Sequence, residues 1–448
     1  MKLTLINHAC CKAATGSFAI LFDPWTDGPA FNFGWDLLVP TPVGFREIMS
    51  DVSYIWISHE HPDHFSIPFL TKVAADLRDK VTVLFQKTRD GRVVSFCRSL
   101  GLQVQELLNH TPTELGDNVT VTCGAFDFYD SWVYLDDGQN TILNLNDCPM
   151  GTERDLRAVK RLTSKPTVLL SQFSYAAWQG GRGGGASRSI AAREKLNTLE
   201  LQVRCLQPKY AVPFASLMYF SNEENRHLND AVNTPRDAAE AINQAGSRPI
   251  ILYPGDSWQI EDENWDNTGP LGRYERCYGA IGNLPVRAPG PSSSFNELAA
   301  AFQRYQQRVF SKNSRALILL LSWLPILGAF RPLRVRLYDI DLLLSVSVVH
   351  GLTKLSRASC EPPVIMHSGS LLFLFKNEFG FDTLTVNGRF EATPNGFATM
   401  TRALAVGSLN SMGLSISPAL LLNPRVVLSL LRQLRGMLRR LRQRNKPE

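Results

Sequence analysis

The stretch YIWISHEHPDHFS, residues 54–66, restricts what this chain can fold into more than any other. Tyr54-Ile55-Trp56-Ile57 has the length and composition of a buried strand. It runs straight into His59, His61, Asp63 and His64, four possible metal ligands within six positions. Imidazole nitrogen suits zinc, iron and manganese, and a carboxylate oxygen can bind a second ion or act on metal-bound water. The spacing predicts one or two divalent metal ions (zinc, iron or manganese), with His59 and His61 on one. Asp63 and His64 would take the other if the site is binuclear. Water on such an ion loses a proton near neutral pH and becomes a nucleophile, which makes Asp63 the candidate catalytic residue that orients it or accepts its proton.

The surrounding sequence reads as an α/β chain. Leu3–Ile6, Phe18–Phe22, Val81–Phe85 and the alternating Val119–Cys123 are strands by pattern, with a helix predicted over Ile67–Arg78. Residues 132–137 and 141–145 form a predicted hairpin around Asp137-Gly138. Val168–Leu170 and Tyr210–Val212 read as later core strands, and Arg188–Leu206 and Arg236–Ala245 as helices. Strand blocks interspersed with helices imply sheets covered by helices. Gly180–Gly185, five glycines in six positions, reads as a flexible loop. It lacks the Lys-Ser/Thr ending of a phosphate-binding loop.

At 448 residues two domains are expected. Arg287–Ser294, rich in Pro, Gly and Ser, reads as the linker. The expected division is 1–285 for the metal-binding domain, 295–410 for a smaller α+β domain and 411–448 for a basic tail. In the second block Val335–Ile340 and Ser370–Phe375 read as its clearest strands, and His350 and His367 as isolated structural histidines. The apolar run Ala316–Phe330 is 15 residues long and contains Pro325. A spanning helix needs about 20, so a buried or membrane-surface helix is expected. In the tail, apolar residues at 427, 430, 431, 434, 438 and 441 fall at helical spacing among arginines. Such a helix suits either an anionic membrane surface, as a peripheral contact, or docking with a solvated face.

A net charge of +6 is too modest at this length to indicate nucleic acid. None of the eight cysteines forms a Cys-x-x-Cys pair, and no apolar leader follows Met1. A cytoplasmic chain with reduced cysteines is the expectation, membrane-associated if the tail binds lipid.

SHEHPDHFS resembles the metal signature of the metallo-β-lactamase fold, an αββα sandwich. LINHAC (5–10), FDPWTDGPAFNFGWDLL (22–38), DSWVYLDDGQNTILNLNDC (130–148) and LYPGDSW (252–258) are similar to the metallo-β-lactamase-type domain of CMP-N-acetylneuraminate hydroxylases. The resemblance covers about residues 1–260. It implies Asp147 as a bridging ligand and favours Asp130 over Asp127 where the fold places a histidine. It also makes His227 a candidate final ligand or substrate contact. His8 is expected beside the site in a supporting place, and Asp23 as a brace of the metal loop. The hydroxylases carry a Rieske cluster, but this sequence contains no Cys-x-His pair to hold one.

Two functions follow as expectations. One is a hydrolase that uses metal-bound hydroxide on a phosphodiester, amide or ester, with a small-molecule or lipid-linked anionic substrate. The other is oxygenase-like hydroxylation of a sugar-nucleotide or N-acyl group, which requires a separate reductase.

Overall fold

The computed structural model describes residues 1–418, apart from 128, 261, 325–327, 357–361 and 412. The basic tail from residue 419 onward lies outside the described residues. In chain order the first strands are β1 (Lys2–Asn7), β2 (Cys10–Thr15), β3 (Phe18–Phe22), β4 (Trp35–Leu37), β5 (Val52–Ile57), β6 (Thr82–Gln86) and β7 (Gln103–Leu107). Then follow β8 (Pro112–Gly116), β9 (Val119–Phe126), β10 (Asp130–Asp136), β11 (Thr141–Asn146), β12 (Val168–Gln172) and β13 (Tyr210–Phe214). The series ends with β14 (Met218–Phe220), β15 (Arg248–Pro249) and β16 (Ser257–Gln259).

They form two seven-stranded sheets, ordered β16-β1-β2-β3-β5-β6-β7 and β15-β13-β12-β11-β10-β9-β8. β4 and β14 pair separately. In each sheet antiparallel strands give way to parallel ones, at β3–β5 in the first and at β11–β12 in the second. Side-chain alternation sorts the first sheet between two apolar layers. Phe18, Ile20, Phe22 and Trp56 face the layer shared with the second sheet. Ala19, Leu21, Ile55 and Ile57 face the other way, onto Phe69, Leu70 and Val73 of the helix Ile67–Asp76. Helices Gly185–Leu206 and Pro235–Gln244 cover the second sheet through Leu199, Val203, Ala238 and Ile242. This is the αββα sandwich that the sequence resemblance implies.

Two compact units partition the chain: Met1–Pro289 with Thr385–Arg389, and Gly290–Leu384 with the residues from Phe390 onward. The second unit holds a five-stranded sheet of β17 (Leu333–Leu337), β18 (Leu342–Ser347), β19 (Gly351–Lys354), β20 (Val364–Met366) and β21 (Phe390–Ala392). Along β17, buried Leu333, Val335 and Leu337 alternate with exposed Arg334 and Arg336.

Ser370–Phe375, expected as a strand, is instead part of the helix Ser368–Lys376. A short apolar run does not reveal its period, and the neighbours decide it here. The His367 ring accepts the Gly369 amide at the helix start, while Leu371, Leu374 and Phe375 are buried at helical spacing. The apolar run at 316 onward forms the helix Arg315–Trp323, in which Ile318 is the buried residue. No helix among the described residues is long and apolar enough to cross a membrane.

Candidate metal centre

Strand direction gathers the candidate ligands at one edge. β1, β3 and β5 all run the same way, since β2 is antiparallel to both β1 and β3 and β3 is parallel to β5. Their C-terminal ends therefore deliver His8, Asp23 and the loop 58–64 side by side. Across the sandwich β11 ends just before Asp147, and its antiparallel partner β10 begins at Asp130. Sites beyond the carboxyl ends of parallel strands are the rule for such sheets.

The loop itself is tightly wound. The amides of His64 and Phe65 both donate to the His61 carbonyl, at 3.0 and 2.7 Å. Asp23 fastens its start: Oδ1 accepts the Ser58 amide at 2.8 Å and the Ser58 hydroxyl at 3.0 Å. Ser66 caps the helix that follows, accepting the Phe69 amide, and Pro68 sits in its first turn. A strand, a pinned loop and a capped helix thus hold His59 to His64 on rigid supports.

Among the described residues, two groups of three side chains have ligand atoms within 4.8 Å of one another: His59, His61 and Asp147, and His8, Asp63 and His64. In the first, His59 Nε2 lies 2.8 Å from His61 Nδ1, and Asp147 Oδ1 is 3.7 Å from His59 Nδ1. In the second, Asp63 Oδ2 is 3.3 Å from His8 Nε2 and 3.2 Å from His64 Nε2. Asp147 links the two, because its other oxygen is 3.7 Å from His64 Nε2. Asp130 stands at the margin, 4.0 Å from His59 Nδ1, whereas Asp127 is exposed on a left-handed turn residue.

The residues fit a bound ion. Asp63 Oδ1 and Asp147 Oδ1 are buried oxygens without a hydrogen-bond partner among the described residues. Burying a carboxylate oxygen that way is costly unless a cation meets it. The donor set of four imidazoles and two or three carboxylates is one that zinc, iron or manganese accepts.

Electrostatics divides the histidines. Burial pushes His59 and His61 down, towards the neutral form that ligates. Burial would do the same to His64, but Asp63, Asp147 and Asp23 around it outweigh this and push it well up. Burial opposes ionisation of Asp63, yet His64 and His8 hold its carboxyl well below the usual range. Burial, then the neighbouring Asp147 charge, pushes Asp130 up to about 7. Asp147 is held low against burial by His59 and His64.

The chain is 28% identical over 262 residues to the cytidine monophosphate-N-acetylneuraminic acid hydroxylase of Macaca mulatta, covering 54% of this chain and 42% of that one. This chain resembles those hydroxylases. The Danio rerio protein of the same name is 27% identical over 273 residues, 57% of this chain and 45% of that one. The chain therefore spans less than half the length of these relatives. No family model matches it.

Among solved structures, an isothiocyanate hydrolase from Delia radicum gut bacteria has a TM-score of 0.44 at 16% identity, covering 58% of this chain and 98% of that one. The diiron β-hydroxylase CmlA from Streptomyces venezuelae has a TM-score of 0.42 at 14% identity, covering 58% and 54%. The metallo-β-lactamase fold protein YhfI from Bacillus subtilis has 0.37 at 12%, covering 58% and 99%. These likenesses say nothing of the reaction.

His227, a candidate ligand in the sequence, is in neither group. It lies in the turn Arg226–Ala231, which Leu228 anchors in an apolar cluster and Asn229 fastens to both backbone groups of Phe220. The chain leaves β13 through Ala215 and Ser216, so that edge supplies no imidazole. His8, by contrast, stands among the ligand atoms rather than only beside them. Sequence reasoning also missed Lys195, on the helix Gly185–Leu206, whose ammonium donates to Gln172 Oε1 at 2.5 Å at the end of β12. Burial pushes its pKa down, against the pull of Asp147 and Asp130. Nothing in the local sequence distinguishes this lysine from a solvated helix residue.

Proposed function

We propose that this chain is a dinuclear metal-dependent hydrolase that cleaves a phosphodiester, amide or ester bond in an anionic substrate. The observation that carries the reading is the position of Asp147, one oxygen 3.7 Å from His59 and the other 3.7 Å from His64, between two three-residue groups. His59, His61 and Asp147 would hold one ion, and His8, Asp63 and His64 the other, with Asp147 shared. When bound, the ions would supply water ionised near neutral pH and a Lewis acid for the scissile bond.

The chain's own residues prepare that chemistry. Asp23 holds the His64 ring through Nδ1 at 3.1 Å, turning Nε2 towards the site. Asp63 stays ionised, and its unpartnered Oδ1 can accept a proton donor. Tyr129 and Phe31 flank His61, with ring centroids 5.6 and 5.5 Å away, and wall the more open group with aromatic surface. Lys195 offers a cation near the carboxylates for an anionic substrate group.

A second reading is hydroxylation of a sugar-nucleotide or N-acyl group with electrons from a separate reductase. The 28% identity to hydroxylases favours it. Metal analysis combined with oxygen uptake during turnover separates the two. Hydrolysis of a phosphodiester or ester panel without oxygen consumption supports the first reading. Oxygen consumption stoichiometric with product, and no hydrolysis, replaces it with the second.

A further inference from the structure

The helix Arg315–Trp323 is inverted relative to an ordinary surface helix. Ala316, Leu319, Leu320 and Trp323 recur at the i, i+3, i+4, i+7 spacing of a single face, and all four are exposed. Trp323 is 81% exposed and Leu320 56%, and Leu324 continues the stripe at 40%. The opposite face reaches the core through Ile318. An apolar stripe normally faces inward, and a contiguous exposed one marks an interaction surface.

Charge selects the occupant. From Leu298 to Tyr338 the sequence contains seven arginines and lysines (Arg304, Arg308, Lys312, Arg315, Arg331, Arg334 and Arg336) and no aspartate or glutamate. Lys312 pairs with Glu378 at 2.8 Å and Arg336 with Asp341 at 3.3 Å, so the other five arginines carry the positive balance. Residues 419–448 carry eight cations and one glutamate, so like charge disfavours that tail as the cover for the stripe. The same repulsion acts between two copies of the region. An anionic lipid surface satisfies both the apolar stripe and the cationic surroundings.

We propose that the face Ala316, Leu319, Leu320, Trp323 and Leu324 inserts into the interface of an anionic phospholipid bilayer and docks the protein there peripherally. Nine helical residues are too few to span a bilayer, so the helix lies along the surface with Trp323 at headgroup depth.

The test is flotation of the full chain with phosphatidylcholine vesicles that either contain or lack phosphatidylglycerol, for the wild type, Leu320→Glu and Trp323→Ser. Both positions are exposed, and unchanged circular dichroism and thermal melting verify folding. Binding is expected only with phosphatidylglycerol, and each substitution should lower it roughly tenfold or more. Equal flotation of Leu320→Glu overturns the proposal, because the tail then suffices. Flotation only after removal of residues 419–448 overturns it in favour of the tail as cover. A wild type that stays out of the floating fraction as a dimer, and that Leu320→Glu converts to a monomer, overturns it in favour of self-association.

Discussion

Asp23 touches the candidate metal centre at two points with its two oxygens. Oδ1 ties down the first residue of the loop, and Oδ2 lies 3.1 Å from His64 Nδ1. Its backbone is left-handed, with φ 42°, a conformation asparagine tolerates and alanine resists. Asp23→Asn therefore keeps the turn and removes only the charge that orients the His64 ring. We expect it to weaken metal affinity about 10- to 100-fold, read by competition with a chromophoric chelator. His61→Ala should lower metal content while leaving circular dichroism intact; full metal in that variant would show that His61 is not a ligand.

A second residue gives a pH dependence away from the metal. Burial opposes ionisation of Asp339, but the Ser368 hydroxyl and amide, at 2.5 and 2.8 Å, hold its carboxyl below the usual range. A depressed folded-state pKa stabilises the protein above the unfolded value of about 3.9, and that stabilisation fades as pH falls through the folded value. Asp339→Asn should therefore destabilise at pH 7 and converge on the wild type in acid. Denaturant midpoints of both proteins across that range check it, and a constant difference at all pH values would sink the assignment.

Among the elements, the glycine segment 180–185 shows what a local reading can and cannot supply. Five glycines imply freedom, yet the buried Arg188 guanidinium donates to the Gly180 and Gly181 carbonyls at 3.2 and 2.7 Å. It also pairs with Asp230 through two bonds of 2.6 Å. One side chain from the following helix thus fixes part of the loop and the start of the helix that carries Lys195. Removing it should cost more than about 1.5–3 kcal/mol, the range for a single hydrogen bond to a charged group. In limited proteolysis Arg188→Ala should be cut within 180–185 faster than the wild type. An unchanged cleavage rate would mean that the loop is held by other contacts.

The elements with a clear period or a turn signal were legible. The hairpin at Asp137-Gly138 is β10–β11, with Gly138 at φ 80°, and the strand before the histidines is β5. Ser370–Phe375 was not, because an apolar run of six has no decidable period. The site divides the same way. His59 to His64 come from one loop and declare themselves together. His8, Lys195 and Gln172 reach the same edge from three separate elements, which only the strand order brings side by side.

At the scale of the whole molecule, the carboxylates Asp23, Asp63, Asp130 and Asp147 crowd one edge of a single unit, Met1–Pro289 with Thr385–Arg389. Ions bound there stabilise that edge by mass action, by about 2.7 kcal/mol at a hundredfold excess over Kd. Chelation removes this and leaves several carboxylates crowded in a partly dry site. The loop 58–66, the start of β10 and the segment after β11 should then open more often. Their amide exchange should rise on chelator treatment and fall again when zinc, iron or manganese is returned. The sheet of β17, β18, β19 and β20 lies in the other unit and contains none of the two ligand groups, so its exchange should not change. A uniform rise across both units would mean that the metal supports the molecule elsewhere. No rise at residues 58–66 would mean that the cluster is not where the ion sits.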